Sequence, residues 1–263
     1  MNMQQDDSLP ATLDPPGTIA VVGTTHVGIE TALYGRYLGY DVKLLAGADT
    51  WAPRSSQATS LHRIGPTFSG DWFARHWLGE QSIDERWSDP IPMMPDRCLS
   101  PLALSAIAAQ REDVPAALPV TMQEWIESGL QSLVETDLLR GRVHANTFVD
   151  SIELAAVLED DEPSEDEEDD GDIPPDFLLK LRGEAIGDDE SNELRCECVI
   201  IADLPPECCR LEFDPPAEYF YRISSADHAD AAEELRAGWQ QIARIYAELA
   251  GRSDLDLYRP LRV

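Results

Sequence analysis

The stretch that decides the fold is Thr18–Leu45, TIAVVGTTHVGIETALYGRYLGYDVKLL. It opens with Thr18-Ile19-Ala20-Val21-Val22, almost entirely apolar and stopped by Gly23, which reads as a strand buried in a parallel sheet. Val27 to Leu38 follows, with Val27, Ala32, Leu33 and Leu38 among its apolar positions. Gly39 behind it is a stop signal, so a helix is predicted. Asp41-Val42-Lys43-Leu44-Leu45 is a second strand. Strand, tight glycine turn, helix and strand within about 30 residues make a βαβ unit, and its crossover is expected to be right-handed.

The turn itself is Gly23-Thr24-Thr25-His26-Val27-Gly28. In a full GxGxxG turn the first glycine permits the bend and the second lets a pyrophosphate approach the backbone. The third lets helix and strand pack closely. Here the first and third glycines stand and the second is Thr25, so a Cβ and a hydroxyl sit where a phosphate would press closest. The acidic residue expected about 20 positions on, to accept from ribose hydroxyls, is Ala46, with Asp49 three residues further. Two readings stay open. Gly23, Thr24, Thr25, His26, Val27 and Gly28 hold the phosphates of a dinucleotide or other phosphate-bearing small molecule, the threonine hydroxyls adding donors. Alternatively, the glycines serve turn geometry and packing alone. His26 either touches a ligand phosphate or is a surface loop residue.

Outward from this unit, residues 1–17 are polar and Pro-rich and read as a flexible tail, and 18–263 as a single domain. Residues 46–97 scatter tryptophans among Pro, Gly and Ser without a period, an irregular insertion covering the sheet. Ser100-Pro101 starts one helix and Thr121 another that runs to Leu139, the latter with the capping-box pattern Thr121-x-x-Glu124. Arg142 to Leu154 is a third strand, Phe177–Leu181 its returning partner, and Leu194–Ile201 another strand. Tyr219–Ile223 is a last strand, and Ala229–Ala250 a long helix whose Leu235, Trp239, Ile242, Ile245, Tyr246 and Leu249 form a core-facing stripe.

The formal net charge is −30, and residues 159–172 alone hold 11 acidic residues and no basic one. Such a chain repels phosphate backbones and anionic lipid, which excludes nucleic-acid and membrane-surface binding. Residues 158–175 are expected to form a disordered acidic loop with the capacity to meet a protein partner. The N-terminus has no basic region followed by an apolar stretch, so a cytoplasmic location is expected, with reduced thiols.

Cys196, Cys198, Cys208 and Cys209 invite a zinc site, but their spacing is wrong for one. Cys196 and Cys198 read as neighbours on one face of a single strand, serving as small apolar residues. The histidines are scattered singly, without metal-ligand spacing. No nucleophile elbow or CxxC dithiol occurs, so no catalytic residue and no metal site is assigned.

From Ile19 to Asp49 the chain resembles the FAD/NAD(P)-binding flavoprotein oxidoreductases, which include flavin monooxygenases and pyridine-nucleotide disulfide reductases. GRVHANTFVDSIE is similar to their third strand and meander, and CECVIIADLP sits where they carry an inner strand ending in Thr-Gly. EYFYRISSADH with the helix after it is similar to their closing strand and helix. The resemblance implies an α/β Rossmann-like domain with a central parallel sheet, a β-meander and a closing C-terminal helix. It implies FAD as cofactor, with NAD(P) a weaker candidate. The departures fall at cofactor positions: Thr25 for the middle glycine, Ala46 for the ribose carboxylate, Asp203-Leu204 for Thr-Gly, and Ser224-Ser225 for a Gly-Asp pair. No second glycine fingerprint offers a seat for NAD(P)H. The expectation is an oxidoreductase-like protein with a diverged, inactive or altered dinucleotide site. The alternative is a non-catalytic scaffold or regulatory protein using the same fold as a binding surface.

Overall fold

The structure, a computed structural model, describes residues 12–46, 88, 90–91, 93–110, 118–155, 176–183, 186, 192–202, 204, 209–224 and 231–259. The acidic stretch and nearly all of the segment 46–97 lie outside the described residues, as does Asp203.

Strand β1, Thr18–Val22, leads through the glycine turn to helix α1, His26–Leu38, and back to β2, Asp41–Ala46. The two strands pair in parallel, from Thr18 opposite Asp41 to Val22 opposite Leu45. This is the pairing the sequence requires. β1 is buried from Ile19 to Val22, as expected of a central strand with both faces covered. Gly39 ends α1 in the left-handed conformation, its N–H returning to the Arg36 carbonyl.

Helix α2, Pro101–Ala109, starts as predicted: Pro101 occupies the first turn, and Ser100 caps it by accepting from the Ala103 N–H at 3.0 Å. Helix α3 opens on a capping box, the Thr121 hydroxyl and the Glu124 carboxylate each satisfying the other's backbone N–H. It runs through Met122–Glu124, widens to a π-helix over Trp125–Gln131 and closes with Ser132–Val134. It thus stops short of Leu139. The Thr136 hydroxyl donates to the Leu133 carbonyl at 2.7 Å, and the chain then turns through Leu139 to Arg142.

The remaining strands are β3 (Val143–Leu154), β4 (Phe177–Gly183), β5 (Glu193–Cys196), β6 (Cys198–Ala202), β7 (Arg210–Leu211) and β8 (Phe220–Ile223), followed by helix α4 (Ala231–Leu249). Five strands run parallel in the order β3-β2-β1-β6-β8. The far half of β3 continues into a smaller mixed sheet, antiparallel to β4 and parallel to β7, with β5 antiparallel to β4. The expected strand Leu194–Ile201 is therefore two strands in two different places. Glu197 makes the break. Its carboxylate accepts from the Thr18 N–H at 2.7 Å, and its own N–H donates to the Thr18 carbonyl.

Helices α1 and α4 pack together. Tyr246 of α4 stacks on Tyr34 of α1 at 5.1 Å and donates its hydroxyl to the Thr31 carbonyl at 2.9 Å. The mixed sheet folds across the parallel one. Phe177 of β4 meets Phe220 of β8 at 6.1 Å although four strands separate them in the sheet, and Phe213 stands edge-on to Phe220 at 5.1 Å. The stripe predicted on α4 is core-facing, with Leu235, Ile242, Ile245, Tyr246 and Leu249 buried. Among the described residues no helix is long and apolar enough to cross a membrane.

Candidate functional site

In open parallel sheets, ligands settle at the carboxyl ends of the strands where the strand order reverses. Here that point lies between β1 and β6, and Gly23 stands on it. Its N–H donates to the Leu45 carbonyl of β2 at 2.8 Å. On its other side a Cβ would come within 2.4 Å of the Ala202 carbonyl that ends β6. Its φ of +122° is the second reason only glycine fits. Gly28 is required by contact alone: a Cβ there would fall 1.8 Å from the Gly23 carbonyl oxygen. The first and third glycines of the turn thus press backbone on backbone, bringing the start of α1 against the end of β1.

Thr25 is the N-cap of α1. Its backbone is extended (φ −78°, ψ 171°), its carbonyl accepts from the Ile29 N–H, and its hydroxyl accepts from the Gly28 N–H at 3.2 Å. The first helical N–H groups are what make a helix start an anion site. At this helix one of them is already satisfied by the chain, through a threonine that is itself buried. Thr24 beside it is half-buried.

His26 is the first residue of α1 and is buried, so it is not a surface loop residue. Its ring lies 6.2 Å from the ring of Trp125, whose Nε1 donates to the Cys98 carbonyl at 2.9 Å. The π-helix of α3 and the segment leading into α2 therefore sit over the start of α1. Val27 is buried as well.

One turn further along α1, Glu30 is buried. Ser100, while capping α2, donates its hydroxyl to the Glu30 carboxylate. Burial pushes this carboxyl up to about 7, against the smaller opposing effects of Ser100 and of the Tyr258 hydroxyl. Glu30 stands at a position that sequence reading left aside, and Ser100 was read only as a helix start. A charge in a helix buried on nearly every side from His26 to Gly35 was the one available signal. Its partner Ser100 lies 70 residues away.

Among the described residues the cysteines form no metal site. Cys196 ends β5 and Cys198 opens β6, both are buried, and burial raises both thiols well above their ordinary range. Such groups stay protonated and inert. Among the described residues no cluster of His, Cys, Asp and Glu could hold a metal ion. A cavity of about 610 Å³ opens beside the C-terminal end of α4, between Thr12, Arg244, Glu248 and Asp254, and shares no residue with the glycine turn.

No family model, no curated protein and no solved structure matches this chain.

Proposed function

We propose that this chain is an FAD/NAD(P)-binding oxidoreductase-like protein of Rossmann type whose dinucleotide site has diverged, leaving it with weak cofactor binding and reduced or lost redox activity. The type is supported by the parallel order of third, second, first, fourth and fifth strands, with a glycine turn where that order reverses. The divergence is supported first by the Thr25 hydroxyl, which accepts from the Gly28 N–H and so occupies a donor at the start of α1. Thr25 also carries a Cβ where the cofactor turn needs bare backbone, and Ala46 replaces the ribose carboxylate. These residues fit a tightly held FAD poorly. The phosphates of a weakly held ligand belong at Gly23–Gly28, FAD ahead of NAD(P).

The test is the colour and ligand response of the purified full chain. The expected protein is colourless near 450 nm, and FAD raises its melting temperature only at high concentration, since a ligand of the native state must stabilise it. Stoichiometric flavin surviving purification would overturn the divergence. No response to FAD, NAD or NADP, in the wild type and in Thr25→Gly alike, would overturn nucleotide binding and favour a scaffold built on the same fold.

A further inference from the structure

The crevice where the strand order reverses holds side chains of the chain itself. On the β6 side, Leu204 stands two residues beyond Ala202, the last residue of the strand. A Cβ at Gly23 would come within 3.1 Å of both Cγ and Cδ1 of Leu204, so this side chain lies against the bare backbone of the turn. It is half-buried and packs on the hydrophobic core. On the α1 side, Trp125 is fully buried, its ring 6.2 Å from that of His26, the first helical residue. The Trp125 Nε1 donates to the Cys98 carbonyl at 2.9 Å and so fixes the ring in place. Thr25, His26 and Val27 keep only 6%, 4% and 1% of their surface exposed. A pyrophosphate held by backbone N–H groups at a helix start has to touch that backbone, and with so little of it exposed a side chain must first move aside.

We infer, on the reading of this crevice as a dinucleotide site, that Leu204 is an internal plug occupying the space beside Gly23 that a pyrophosphate needs, with Trp125 the fixed wall on the helix side. The two residues differ in what holds them. Trp125 is tied by a buried hydrogen bond as well as by packing, and removing it would strand the Cys98 carbonyl. Leu204 is held by apolar contact, and a ligand that displaces it forfeits the free energy of that burial. This cost is separate from the occupied donor at Gly28 N, because Leu204 meets the turn at Gly23 and Thr25 meets it at Gly28. The plug therefore keeps affinity for a dinucleotide low even when the cap is removed, and trimming Leu204 raises affinity with the cap intact.

Calorimetric titration of FAD into the full chain tests this in the wild type, Leu204→Gly, Leu204→Met, Thr25→Gly and the variant carrying both glycines. Leu204→Gly should bind FAD roughly tenfold tighter than the wild type. Leu204→Met, which refills the space with a side chain of similar volume, should bind as weakly as the wild type. A gain in Leu204→Met equal to that in Leu204→Gly would overturn the plug. So would wild-type affinity in Leu204→Gly beside a gain in Thr25→Gly, an outcome that leaves the dinucleotide reading standing. Absence of binding in every protein, the double variant included, would overturn both. If Leu204→Gly does not fold, Leu204→Ala removes the same Cγ and Cδ atoms, and a gain there supports the plug while wild-type affinity overturns it.

Discussion

At the scale of single residues, the glycine turn is held by two contacts and one cap, and the Gly28 contact and the cap each make a prediction. Gly28→Ala places a Cβ inside the Gly23 carbonyl, so the β1–α1 junction must part. We expect a loss of more than about 3 kcal/mol in denaturant unfolding, or no soluble protein. Thr25→Ala removes the cap at Gly28 N and should cost about 1 kcal/mol, read as a lower denaturant midpoint at unchanged slope. A neutral Thr25→Ala would show that water or a neighbouring group satisfies that N–H equally well. The need for Gly23 and Gly28 was legible in the sequence, because turn chemistry is local. The role of Glu30 was not, because its partner Ser100 is brought to it only by tertiary packing.

At the scale of elements, sequence reading places β1, α1, β2, β3 and α4 within a few residues of where they stand, since apolar period and flanking glycines mark them plainly. It fails where tertiary contacts override the local pattern. Leu194–Ile201 reads as one strand, yet Glu197 pairs with the backbone of Thr18 and splits it between two sheets. Thr121–Leu139 reads as one regular helix, yet the turns over Trp125–Gln131 widen to π geometry. π turns recur at functional positions, and this one sets Trp125 against His26 and the Cys98 carbonyl. Trp125→Phe keeps the ring packing and removes the Nε1 donor. It should lower stability by roughly 1–3 kcal/mol by leaving a buried carbonyl unpaired. No change in the unfolding midpoint would mean that the hydrogen bond does not hold the π turns in place.

At the scale of the whole molecule, a charge of −30 on 263 residues makes self-repulsion a general cost of compactness. Salt screens it. Raising sodium chloride from low to physiological strength should therefore stabilise the protein by about 1 kcal/mol, or roughly 2–4 °C in Tm for a chain of this size. A falling Tm would mean that attractive ion pairs, such as Arg182–Asp150 and Arg195–Asp176 on the mixed sheet, outweigh the repulsion. The same charge disfavours anionic ligands at long range. A phosphate site on this molecule must then be built from close backbone donors, and this returns the question to Thr25.

The most direct measurement is a calorimetric titration of FAD into the wild type and into Thr25→Gly. Glycine at an N-cap costs only a few tenths of a kcal/mol in stability, so the variant folds and the comparison isolates the turn. If the Thr25 side chain stands in for a phosphate at the start of α1, the variant binds FAD roughly tenfold tighter or better, a gain of about 1.4 kcal/mol. Equal or weaker binding by Thr25→Gly would contradict that account.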